Sequence, residues 1–221
     1  MEQLSIIFGT LAVWMPEFLG GFVKTLVLVG MCLPAAFAGG MLLVLPRTSR
    51  RAAVRVPSYV LIEFLRNVPT FLLILVVYYG APLLGSRLDG IYCGAIAIAV
   101  QHTAYLAEVF RGGIETVPRT QWDAARAVGL GPRGVFYRVI LPQALIKVLP
   151  SLSAQVVVLI KDTSLAAGIG VVELTLSGKL IMERTAASYE VFIIIAGFYL
   201  VLTTVASVLF YRLELLARKR S

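Results

Sequence analysis

Five stretches of this chain, near residues 22–45, 58–84, 91–110, 147–166 and 190–211, are each long and apolar enough to cross a bilayer. A span needs roughly 20 apolar residues. In hydrocarbon every backbone N–H and C=O must be satisfied within the segment, and a helix does this by itself. The pattern therefore predicts an all-α integral membrane fold with five transmembrane helices, forming one domain over 1–221 whose main environment is the lipid bilayer. Composition agrees: 59% of residues are hydrophobic and 14% charged, where soluble domains are about half apolar and about a quarter charged.

A net charge of +8 would suit nucleic acid if it covered one face. It does not. Fourteen of the 20 basic residues fall in three places: Arg47, Arg50, Arg51 and Arg55 after the first span; Arg111, Arg119, Arg126, Arg133, Arg138 and Lys147 between the third and fourth; Arg212, Arg218, Lys219 and Arg220 after the fifth. The other side carries Arg87, Lys179 and Arg184, with Lys24 at the edge of the first span. By the positive-inside rule the amino terminus is out, the carboxyl terminus is in, and nucleic acid is not a partner. Glu2 and Glu17, with no Lys or Arg before residue 22, do not make the n-region of a cleavable signal peptide. Cys32 and Cys93 lie in predicted spans and read as buried thiols; with His102 the one histidine, no metal site is expected.

Pro34 and Gly39-Gly40 in the first span require a helix covered by protein. Gly90 and Gly94, followed by Ala95, Ala97 and Ala99, predict close helix packing. Val68-Pro69 predicts a break in the second span, because proline drives the residue before it out of the helical region. Residues 166–189 read as a short mixed loop. No internal repeat is evident.

Between the third and fourth spans lies a polar island, 119–146. Thr120 and Asp123 have capping-box spacing, Ala124, Ala125 and Ala127 favour helix, and Gly129 stands where a helix would stop. Gly131-Pro132 opens a second helix, about 132–146, with Val135, Phe136, Val139, Ile140 and Leu145 on one side. Chemistry alone leaves two uses open: an amphipathic connector on the membrane, or a docking element with Trp122 as its anchor.

The run Asp123-Ala124-Ala125, Gly129 and Leu141-Pro142 resembles the cytoplasmic signature of ABC-importer permeases, with Asp for the usual Glu and Val139 for Ile. Arg66-Asn67-Val68-Pro69, the string Ala104 to Ile114, Leu141-Pro-Gln-Ala144, Lys161-Asp-Thr-Ser-Leu165 and Glu173-Leu174 are similar to elements of permeases for polar amino acids. The resemblance implies a five-span type I importer fold with the island as its coupling helix, contacting the ATPase through Gln121, Trp122, Asp123, Ala124, Ala125 and Gly129. It implies two ATP-binding subunits, a second permease subunit (identical or homologous), an extracytoplasmic amino-acid-binding protein, an amino-acid substrate and a bacterial inner membrane. ATP and Mg²⁺ belong to the partner. This chain has no Walker A loop, since Gly178-Lys179 lacks the upstream Gly and the following Ser/Thr. No catalytic residues and no cofactor of its own are expected.

Ionisable groups at membrane depth are rare and mark function. Here they are Glu63, Arg66, His102, Glu108, Lys161 and Asp162. Gln101, Tyr105 and Glu108 share one helical face, with His102 beside it. An amino acid needs a donor for its carboxylate and an acceptor for its ammonium, so Arg66, Gln101, His102, Tyr105 and Glu108 form the candidate substrate set. Structural pairing of Glu63 with Arg66, and of Glu108 with Arg111, is the competing role. An ATPase-independent secondary transporter or channel is the competing function.

Overall fold

A computed structural model describes residues 2–185 and 187–219, with side chains from residue 13 onward except at 188. All regular structure among these residues is helical. The helices are α1 (Glu2–Arg47), α2 (Ala52–Asn67), α3 (Thr70–Leu83), α4 (Gly90–Glu115), α5 (Arg119–Ala127), α6 (Pro132–Gly134), α7 (Leu141–Asp162), α8 (Leu174–Thr185) and α9 (Ser188–Arg218). Four helical stretches, 13–47, 90–115, 132–169 and 189–218, are long and apolar enough to cross a membrane, and the bent pair α2–α3 would make a fifth span.

The second span breaks at Val68-Pro69 as expected. The first helix begins well before residue 22 and runs through Pro34 without interruption. Two expectations fail. Residues 166–189 are not a plain loop, because they contain α8. The second island helix is not a separate piece either. After α6 the chain enters a π turn, Val135–Ile140, and continues directly into α7. Pro142 explains the wider turn. It has no N–H to offer the Arg138 carbonyl, and its ring crowds that carbonyl. Leu141 instead bonds the Phe136 carbonyl, five residues back.

Internal contacts divide the chain into two units, each drawing on several helices. The first comprises Met1–Pro34, Val68–Ala99 and Val158–Thr204. Its core holds Trp14, Phe18, Leu174, Ile181, Val191 and Ile195, and Gly94 lies so close to Ala166 that a Cβ would come within 3.2 Å. Asp162 accepts the Thr70 hydroxyl at 3.3 Å, tying the start of α3 to the end of α7. Fully buried Glu173 caps α8: its carboxylate accepts the N–H groups of Thr175 and Leu176 at 2.9 and 3.0 Å and the Tyr199 hydroxyl at 3.0 Å. Burial raises the Glu173 pKa, against the opposing pull of those hydrogen bonds.

The second unit comprises Ala35–Asn67, Val100–Val157 and Val205–Ser221. Ile62, Leu65, Ala104 and Ala107 form its core between α2 and α4. At Gly113 a Cβ would fall inside the Val148 side chain and 3.1 Å from the Ala144 carbonyl. Only glycine lets α4 and α7 meet there. That contact fixes both helices where they face the functional site.

Candidate transport cavity and coupling helix

Within the second unit α2, α4 and α7 line an open cavity of about 630 Å³. Arg66 comes from α2, Tyr105, Glu108 and Arg111 from α4, and Lys147, Ser151 and Gln155 from α7. The last three recur every four residues, so they form one polar stripe along a largely apolar helix.

Arg66 is held at several points. Its Nη1 donates to Glu63 at 2.9 Å, its guanidinium lies 5.6 Å from the centre of the Tyr105 ring, and its carbonyl accepts the Tyr105 hydroxyl at 2.9 Å. Its buried Nε has no hydrogen-bond partner among the described residues. Glu108 is placed differently. One oxygen accepts from Arg47 Nε at 2.8 Å and the other from Arg111 Nε at 2.7 Å, with its side chain 14% exposed. Both oxygens thus already accept from arginines of the chain.

The structure therefore gathers Arg66, Tyr105 and Glu108 around one cavity. Gln101 and His102 are buried behind its wall. Gln101 Nε2 donates to the Leu65 carbonyl at 3.3 Å. His102 Nδ1 lies 3.0 Å from Gln155 Nε2, so Gln155 connects the histidine to the cavity. Sequence reasoning missed Arg47, Lys147, Ser151 and Gln155. The four-residue period on α7 was a usable signal for the last three; nothing local links Arg47 to Glu108.

The island is α5 and its flanks. The capping box does not form. Pro118 occupies the cap with no side-chain bond, α5 starts at Arg119, and Thr120 lies inside the first turn. The C-terminus follows the sequence. Gly129 has φ +82°, Gly129 N–H bonds the Arg126 carbonyl at 2.9 Å, and Leu130 N–H bonds the Ala125 carbonyl at 3.3 Å. This is the Schellman pairing that closes a helix end. Gly131 and Pro132 then cap and open α6.

Among the island residues proposed to meet an ATPase, Gln121, Asp123, Ala124 and Gly129 are exposed and Trp122 is half-buried. Ala125 is 5% exposed, because α5 packs against the π turn. It seats the helix on its own chain and is closed to a partner. Val128, 76% exposed, joins the outward surface instead. Two bonds fasten the island to the cavity helices: Gln143 Nε2 to Gln121 Oε1 at 3.4 Å, and Lys147 Nζ to the Thr116 carbonyl at 2.9 Å.

Residues 36–219 match the family of binding-protein-dependent transport system inner membrane components. The chain belongs to that family. This permease is 35% identical over 195 residues to a probable amino-acid ABC transporter permease of Sinorhizobium fredii, covering 88% of this chain and 84% of the relative. It is 32% identical over 206 residues to a probable glutamine ABC transporter permease of Bacillus subtilis, covering 93% and 94%. A crystal structure of an amino acid ABC transporter with histidines superposes with a TM-score of 0.86 at 29% identity, over 94% of this chain and 97% of that one. The inward-facing MetNI methionine ABC transporter superposes with a TM-score of 0.73 over 95% and 98% of the two chains. At 15% identity that is a likeness of fold alone. The fold is that of a type I importer permease.

Proposed function

We propose that this permease is the membrane-spanning subunit of an ATP-driven amino-acid importer in a bacterial inner membrane, with its amino terminus out and carboxyl terminus in. Two permease subunits, identical or homologous, sit on two ATP-binding subunits that hold ATP and Mg²⁺, and an extracytoplasmic binding protein delivers the substrate. One observation carries the coupling. The helix α5 lies on the connection between α4 and α7, and those two helices line the cavity. Because α4 and α7 are locked at Gly113, force on α5 moves both cavity walls together. ATP binding biases the cavity because the two states differ in their α5 contacts.

In the cavity Arg66 takes the substrate carboxylate, through the guanidinium that Glu63 and Tyr105 orient. Ser151 and Gln155 meet the ammonium in place of Glu108, which anchors Arg47 and Arg111. The test is uptake by the importer reconstituted with its ATPase and binding protein. Ala124→Arg on the exposed side of α5 should abolish uptake while the permease elutes and melts normally. Arg66→Gln should abolish uptake with ATP hydrolysis retained. Normal uptake by Ala124→Arg would contradict the proposed coupling, and normal uptake by Arg66→Gln the substrate role.

A further inference from the structure

Beside α5 the second unit holds another cavity, of about 490 Å³. Its charged lining is Arg50, which follows α1, and Arg119, Asp123 and Arg126 on α5, while Trp122, Phe136 and Ile114 supply apolar walls. Residues 119, 122, 123 and 126 are spaced i, i+3, i+4 and i+7, so they form a single stripe of the helix. The buried Ala125 fixes which way that stripe points, because it holds α5 against the π turn that carries Phe136.

The charges do not balance. Asp123 is shared with Arg126 at 3.4 Å, and both side chains are more than half exposed. Arg50 and Arg119 have no ion-pair partner among the described residues. Three guanidiniums thus surround one carboxylate in a concavity with aromatic walls. Such a site suits a further carboxylate held bidentately, and a covering surface would exclude water and strengthen the pairing.

We propose that this pocket receives an Asp or Glu side chain of the ATP-binding subunit, gripped by Arg50 and Arg119. The proposal rests on the reading of α5 as the ATPase contact and names the chemistry that contact requires. Charge complementarity selects an acidic side chain, and Trp122 and Asp123, two of the residues read as ATPase contacts, line the pocket themselves.

The test uses the full permease–ATPase complex. The readouts are dissociation of the ATPase and its salt dependence from about 50 to about 500 mM, in neutral vesicles and in vesicles with about 30% phosphatidylglycerol. Arg119→Glu with Arg50→Glu should weaken ATPase binding by roughly tenfold or more and flatten its salt dependence in both lipids. Arg119→Gln should do so to a lesser degree. Replacing the matching acidic residue of the ATPase groove by Arg should restore binding. Wild-type affinity in the Arg50/Arg119 variants, with Ala124→Arg abolishing binding, overturns the proposal and leaves the coupling helix standing. Wild-type affinity in Ala124→Arg as well overturns both. An effect confined to phosphatidylglycerol vesicles assigns the pocket to a lipid headgroup and also overturns the proposal. The replaced side chains are exposed, and an unchanged melting temperature separates a binding defect from a folding one.

Discussion

The arginines of the two cavities are held in opposite ways. At the larger one, Arg66 and Arg111, together with Arg47 that reaches the lining Glu108, each meet a carboxylate of the chain at 2.7–2.9 Å, and those arginine side chains are 16–34% exposed. Beside α5 the Asp123–Arg126 ion pair is long and exposed, and Arg50 and Arg119 have no ion-pair partner among the described residues. Desolvation explains the contrast. A charge withdrawn from water is costly unless its partner is built into the same chain, whereas a charge in water can wait for a partner from another subunit. Pairing of both carboxylate oxygens, as at Glu108, therefore marks charges that build the permease. Arg66, bound to Glu63 through Nη1, keeps guanidinium donors for a ligand, and unpaired charge marks a surface that something else completes.

The contrast fails first at Glu108 if it is wrong. Glu108→Ala leaves partly buried Arg47 without its carboxylate and Arg111 with the exposed Glu115, so we expect a loss of about 2–4 kcal/mol, read as a lower melting temperature of the purified permease. A neutral result would mean that the network is solvated and structurally idle. Gly113→Ala should cost about 1–3 kcal/mol by pushing α4 from α7, with recovery when Val148→Ala restores the space. Failure of that rescue would contradict the locked pair of walls. Gly129→Ala should cost about 1 kcal/mol, since a Cβ is strained at φ +82°.

Glu173 extends the contrast to a buried carboxylate with no arginine partner among the described residues. Its folded pKa is raised, so the stability it contributes is full below the unfolded value and is lost as pH rises through the folded value. The melting temperature should fall over that window in the wild type and less in Glu173→Gln; parallel curves would contradict the assignment. The smallest effect belongs to Asp123→Asn. Its exposed pair with Arg126 is worth less than about 0.5 kcal/mol, so the melting temperature should not move beyond that.

Features governed by near neighbours were legible in the sequence. Pro69 broke the second span, Gly129 closed α5, Pro132 opened the next turn, and Glu63–Arg66 and Glu108–Arg111 paired at i, i+3. Features governed by distant contacts were not. Arg47 meets Glu108 across 61 positions and Thr25 meets Glu173 across 148, so neither leaves a periodic trace. The Thr120 cap was a local inference that lost to a nearer constraint, because Pro118 already fixed the start of the helix. Ala124 and Ala125 are chemically identical in the sequence, and only the packing of α5 on the π turn shows which faces out.

The central claim is that α5 carries the nucleotide state to the cavity walls. It is tested most directly by a cysteine at Ser151, exposed in the cavity, while the native Cys32 and Cys93 are buried. In the assembled importer we measure its labelling rate by a membrane-impermeant maleimide from the cytoplasmic side, with and without ATP and vanadate. The account predicts that trapped nucleotide slows labelling by roughly tenfold or more, and that Ala124→Arg removes this dependence while leaving the nucleotide-free rate unchanged. Equal labelling rates with and without trapped nucleotide in the otherwise unmodified importer would contradict it.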